Sequence, residues 1–206
     1  MKSTATFLAV LAALAFSPVT RAADLKPNSL TAAEKAAGWR LLFNGTSLDG
    51  WTAVGDANWT LKDGIVSADK GAISFLVSKE RFRDFELRVE FWVSDDANSG
   101  IFIRCVDAVP RIQLDNAYEV NIYDTRPDPT YGTGAIVTVA PVSPMPKAGG
   151  RWNTYLIRAQ GDRFTVSLNG QTTVAGARDD RFREGAIGLQ YGAGTVKFRK
   201  VEIRSL

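Results

Sequence analysis

Two short runs between Asn98 and Asp124 gather the side chains best suited to chemistry: Arg104 in NSGIFIRC, and Glu119 and Asn121 in YEVNIYD. In the first, Ile101, Ile103 and Cys105 alternate with Gly100, Phe102 and Arg104; in the second, Tyr118, Val120 and Ile122 alternate with Glu119, Asn121 and Tyr123. Successive strand side chains point to opposite faces, so the spacing predicts Arg104, Glu119 and Asn121 on one shared face. A carboxylate there could take a proton, and a guanidinium could hold a developing anion. The same two groups could equally pair across a sheet and keep each other ionised.

The chain has no histidine, which removes histidine-dependent triads, imidazole bases and histidine metal sites together. Catalysis would fall to carboxylates, Tyr, Lys, Arg, water or an oxygen-bound metal. With one thiol and no imidazole, zinc is not expected. No cofactor is expected either; a divalent cation held by Asp95, Asp96 and nearby carbonyls is conceivable, but acidic pairs in loops are usually just solvated. Cys105, the single cysteine, sits among apolar residues and reads as a small buried hydrophobe.

Glu90, on the polar side of its own alternating run, is a second carboxylate candidate, although the Glu86, Arg88, Glu90 set also reads as a solvated strand face. An ordinary glycosidase is a competing enzyme class. Same-face residues on a strand are about 7 Å apart, and a retaining carboxylate pair needs roughly 5 Å. Asn121 and Tyr123 stand where a second carboxylate would follow Glu119, which counts against that class. Trp51, Trp92 and Trp152 could stack on sugar faces, with a core position favoured for Trp152.

These groups need strands to position them, and short alternating runs fill the chain. Phe85, Leu87, Val89 and Phe91 alternate with Glu86, Arg88, Glu90 and Trp92, the pattern of a half-buried strand. Asp63-Gly64 predicts a tight hairpin over residues 59–67. Further strands are predicted over 39–43, 72–77, 152–159, 163–168, 171–174, 185–191 and 195–204, with a weaker one over 135–139. The stretch from Thr46 to Trp51 reads as loop. Thr31-Ala-Ala-Glu34 carries a capping box for one short helix that Gly38 would stop. Many short strands with tight turns predict an all-β fold, two antiparallel sheets packed as a sandwich, with a barrel as the alternative.

Lys2, an apolar run from Phe7 to Phe16, and Thr20-Arg-Ala22 follow the order of a secretory signal peptide, too short to span a bilayer. Cleavage after Ala22 or Ala23 would leave one domain over 24–206, exported to the periplasm or medium without a membrane anchor. Without Lys2 and Arg21 the formal net charge of +3 falls to +1, which calls for no nucleic-acid partner.

The segments LTAAEKAAGWRLLFNGTSLDGW, FELRVEFWVSDDANSGIFIR, YEVNIYD, RWNTYLIRAQGDRFTVSLNG and GAIGLQYG follow one another in an order that resembles the 3-keto-disaccharide hydrolase family, from Leu30 to Leu206. The resemblance implies a concanavalin-like jelly roll acting on glycosides oxidised to a ketone at C3. Its motifs fall on Asn98, Ser99, Gly100 and Arg104, on Glu119 and Asp124, on Trp152 and Asn153, and on Leu189 and Gln190; Asn121 replaces the usual Gln. On that chemistry Glu119 reads as a base, Arg104 as stabiliser of an enolate, and Asn121 and Gln190 as partners of sugar hydroxyls; Asp124 of the same motif, together with Glu90 and Trp51, singled out by strand face and aromatic type, are further candidate substrate contacts. Two positions depart from the family: Tyr191 follows Gln190 where His-Gly is usual shortly after, and Val137 follows Gly134-Ala-Ile136 where Tyr is usual. A non-catalytic carbohydrate-binding sandwich is the alternative of another class, and a sugar or glycoside is the ligand under either.

Overall fold

A computed structural model describes residues 27–206. The expected signal peptide lies outside the described residues. In chain order come α1 (Ala32–Ala36), β1 (Arg40–Phe43), β2 (Trp51–Ala57), β3 (Thr60–Lys62), β4 (Ile65–Ala68), β5 (Gly71–Phe82), β6 (Phe85–Val93), β7 (Ser99–Cys105) and β8 (Tyr118–Ile122). Then follow β9 (Trp152–Gln160), β10 (Arg163–Leu168), β11 (Gln171–Arg178), β12 (Gly185–Tyr191) and β13 (Val196–Ser205). Eight strands form one antiparallel sheet in the order β11-β10-β9-β6-β13-β4-β3, with β1 also paired to β13, and five form the other, β2-β5-β12-β7-β8. The sandwich expectation holds, and the barrel does not.

Local signals act as their chemistry requires. The Thr31 hydroxyl accepts from the Glu34 amide while the Glu34 carboxylate accepts from the Thr31 amide, closing the capping box. Asp63 and Gly64 take φ of 52° and 76°, the two left-handed residues that a two-residue hairpin turn needs. Between the sheets Phe85, Leu87, Val89 and Phe91 of β6 are sealed from solvent together with Ile101, Ile103, Val120, Ile187 and Leu189 of the smaller sheet.

The opposite, outer face of the smaller sheet carries a second apolar cluster: Val54, Phe75, Val77, Phe102, Cys105 and Ala186, packed with Ala108, Ile112 and Ala117 of the segment between β7 and β8. That segment folds back over part of the outer face, so the face is roofed at one end and open at the other. The Cys105 thiol is pushed up to about 12 by burial, in keeping with a packing role.

Some elements differ from expectation. The chain around Trp51 opens strand β2, and Trp51 is a core side chain that donates from its indole to the Leu42 carbonyl; it cannot stack on a sugar. Residues 135–139 run beside β8 through isolated bridges only, because the chain turns back on itself from Ile136 to Ala140. Trp152, expected in the core, is half-buried on the outer face of the larger sheet with Arg199 3.9 Å above its ring.

Candidate active site

Pairing registers fix how the outer face of the smaller sheet is tiled. Gly188 lies beside Val77 and Phe102, and Phe102 beside Glu119, so one row reads Val77, Gly188, Phe102, Glu119. The next reads Phe75, Gln190, Gly100, Asn121. Glycines in both rows leave a trough between the apolar wall of β5 and the polar wall of β8. A Cβ on Gly100 would stand 2.7 Å from Glu119 Oε1 and 3.3 Å from Gln190 Oε1, so these two side chains share the space that Gly100 leaves. Ile112 of the roof closes over Gly188, 3.0 Å from where its Cβ would be.

The trough opens as a cleft of about 420 Å³ lined by Ile73, Phe75, Phe102, Ile112, Gln113, Leu114, Asp115, Glu119 and Gln190. Its size suits a small ligand. Glu119 is 9% exposed, and its carboxyl makes no hydrogen bond or ion pair among the described residues. Burial with no compensating cation penalises the charged form, and the carboxyl is pushed up from 4.5 to about 8. Beside it, Gln190 is 8% exposed and its buried Oε1 has no partner. A buried carboxyl that disfavours its charged form and an unserved acceptor on the floor of one cleft are the features of a site that awaits a ligand.

Arg104 does not share this face. The pairing of β7 with β12 shifts between Ala186 and Gly188, and Arg104 itself adopts φ of 51°, so strand parity breaks there. Its side chain, fully buried, turns to the end of the sandwich. There Nε donates to the Arg83 carbonyl at 2.9 Å, Nη1 to those of Gly161 and Phe182, and Nη2 to Asp84 at 3.1 Å. The Phe164 ring lies 5.2 Å away. Arg104 is a tie between turns, and the predicted pairing with Glu119 does not form.

Asn121 is on the predicted face next to Gly100, but its amide donates to the Tyr131 carbonyl, which commits it to holding the following loop. Asp124 accepts from Thr133 Oγ1 at 2.6 Å and from the Ala148 and Gly149 amides at 2.7 and 2.8 Å, a loop clasp and not a ligand contact. Glu90 lies on the larger sheet, paired with Arg199 at 2.7 Å, and so cannot reach the cleft. Trp92 belongs to that same far face, under Lys197. Of the residues the sequence singled out, Glu119 and Gln190 line the cleft together.

The two departures from the family pattern also find places. Val137 is buried, and its amide donates to the Glu119 carbonyl, bracing β8 from behind the carboxyl. Tyr191 faces the core between the sheets and lines no part of the cleft. The sequence reading missed the apolar wall and roof: Ile73, Phe75, Ile112 and Leu114. Ile73 and Phe75 alternate on one side of a run already read as strand, which could have marked them; nothing in the sequence announces that residues 106–117 fold over the sheet.

Comparison with known proteins agrees with this architecture. A family model described as a 3-keto-alpha-glucoside-1,2-lyase-like domain matches residues 38–204. A Bacteroides thetaiotaomicron protein named 3-keto-disaccharide hydrolase is 26% identical over 171 residues, covering 68% of this chain; the chain spans 58% of that relative's length. A crystal structure from Parabacteroides distasonis, provisionally named a glycosyl hydrolase, superposes with a TM-score of 0.75 at 18% identity, covering 88% of this chain and 100% of the other. A carbohydrate-binding module of Bacillus subtilis superposes at 0.61 with 21% identity, over 76% and 96%. With a match over most of its length and the sandwich its motifs imply, the chain belongs to the 3-keto-alpha-glucoside-1,2-lyase-like family.

Proposed function

We propose that this chain is an exported hydrolase of 3-keto-disaccharides or related 3-keto-glycosides, with Glu119 as its base. A ketone at C3 acidifies the hydrogen on C2. Glu119 takes that proton, the electron pair moves to the C3 oxygen as an enolate, and the enolate collapses with cleavage of the C1–O bond. The leaving oxygen takes up a proton, and water then adds to C1 across the resulting enone, so the net reaction is hydrolysis. A simple glycosidase would need a second carboxylate within reach, and Asp115, the other acid lining the cleft, is held by Arg111 at 3.0 Å on the rim.

The observation that carries this reading is the lone buried carboxyl. Lacking a cation, Glu119 is a stronger base than an exposed glutamate, and a proton on carbon demands a strong base. Gln190, with its amide beside the carboxyl, replaces Arg104 as the polar partner of the reacting sugar. Support for the substrate comes from the family and from the name of the Bacteroides relative.

Incubation with a 3-keto-glucoside and its unoxidised parent tests the assignment. Only the keto form should turn over, with kcat/KM rising as pH increases and levelling above about 8. Glu119→Gln should lose about 10²–10⁴-fold in kcat while remaining folded. Undiminished turnover by that variant removes Glu119 from the mechanism; cleavage of the parent sugar replaces the reaction class; binding of both without turnover makes the chain a carbohydrate-binding sandwich. For export, N-terminal sequencing of the protein from its producing cells should read from Ala23 or Asp24; retention of the apolar run would count against it.

A further inference from the structure

The cleft around Glu119 is two-sided in a way that a disaccharide does not require. Glu119 and Gln190 supply polar contacts at its floor, while Phe75, Phe102, Ile112 and Leu114 surround them and Ile73 stands at the open end. Ile73 is 59% exposed, the most exposed of the large apolar side chains among the described residues. It lies two positions from Phe75 on β5, so both face the trough. On the polar rim, Gln113 Oε1 and one Asp115 carboxylate oxygen already accept from Arg111.

A second sugar ring carries hydroxyls around its edge. Seated against Ile73 and Leu114, those hydroxyls would give up water and find few new partners, which costs binding. An alkyl or aryl group would bury the same surface with gain. The far end of the trough is closed by Ile112 over Gly188, so the group on C1 has its way out past Ile73.

We infer that the substrate's C1 substituent is an apolar aglycone, alkyl or aryl, seated on Ile73 and Leu114, and that these two side chains set leaving-group specificity. The inference rests on Glu119 being the base, because that fixes where C1 lies.

The test compares 3-keto forms of hexyl glucoside and of a glucose disaccharide, in matched α and β pairs, so that both leaving groups are alkoxides. The hexyl compound should show kcat/KM at least about tenfold higher, in the range that a few methylenes give in an apolar pocket. Ile73→Thr, a β-branched replacement at an exposed strand position, should bring the ratio within about threefold, chiefly by lowering the hexyl value. Equal values for the two substrates, or a loss shared equally by both in the variant, overturns the inference while leaving the hydrolase reading intact. If neither keto compound turns over, the hydrolase reading fails, and calorimetry decides the subsite separately. Tighter binding of hexyl glucoside than of the disaccharide, abolished by Ile73→Thr, upholds it; equal or absent binding overturns it.

Discussion

Two charged side chains lie fully or nearly buried in the smaller sheet, and their surroundings separate their roles. Arg104 has three carbonyls and Asp84 around its guanidinium, and a buried charge so provided for is a structural one. Burial lowers the Arg104 pKa and Asp84 opposes that shift. Glu119 has none of this, and it is the unserved group that keeps reactivity. Arg104→Met should therefore destabilise the fold by about 3–5 kcal/mol, measured by denaturant or thermal unfolding, with turnover per folded molecule preserved. A variant of normal stability and depressed kcat would return Arg104 to the chemistry. Alternation placed Glu119 correctly because β8 is regular over its five residues. It misplaced Arg104 because one left-handed residue at the end of β7 reverses parity, and arginine carries no signal for positive φ.

At the level of elements, the trough exists because β12 carries Gly188 between Val77 and Phe102, and β7 carries Gly100 between Gln190 and Asn121. The two glycines nearest this site and Arg104 differ in what a methyl group would strike. At Gly100 the obstacle is the end of the Glu119 side chain, which can swing away, at 2.7 Å. At Gly185 it is backbone, the Arg104 carbonyl carbon and the Cys105 oxygen, both at 2.3 Å, and backbone there is fixed by the sheet. Gly100→Ala should thus leave the melting temperature nearly unchanged and lower kcat by about 10²-fold, the penalty for displacing a catalytic group by an ångström. Gly185→Ala should instead lower the melting temperature, with the folded fraction fully active. Equal losses of stability in the two would contradict the trough geometry. Most strands are legible from period and turns, β6 to the residue, but β2 is not, because the run from Trp51 to Ala57 shows no clear alternation. What hid was strand order, which alone brings Gln190 next to Gly100 across 90 residues of chain, and the return of residues 106–117 over the face, an arrangement made by tertiary packing of Ile112 and Ala108 and by no local pattern.

For the whole molecule, the reactive carboxyl sets stability against activity along the pH axis. Stability changes with pH according to the difference in protons held by the unfolded and folded chains. Between 4.5 and about 8 the folded chain keeps the Glu119 proton that the unfolded chain has released, so stability falls as pH rises through this window and levels above it. Glu202, fully buried with one carboxyl oxygen unpaired, is raised by burial despite Arg88 and Lys200 and acts in the same direction. Glu34 acts oppositely: burial would raise it, but the Thr31 amide and hydroxyl, Lys200 and Arg88 bring it down to about 2. Its contribution is complete above 4.5 and disappears as pH falls toward 2. The chain has no histidine to add an imidazole transition between. The melting temperature should then peak near pH 5 and decline to pH 8, across the interval in which kcat/KM climbs. Each pH unit of the Glu119 shift is worth about 1.4 kcal/mol, so the decline is on the order of several kcal/mol, and Glu119→Gln should remove most of it. Variant and wild type should unfold together below pH 4.5, and the variant should be the more stable at pH 8, with Glu202 leaving a smaller slope in both. Parallel curves from pH 4 to 9 would mean that Glu119 ionises as freely as a surface residue, and the base would have to be sought elsewhere in the cleft.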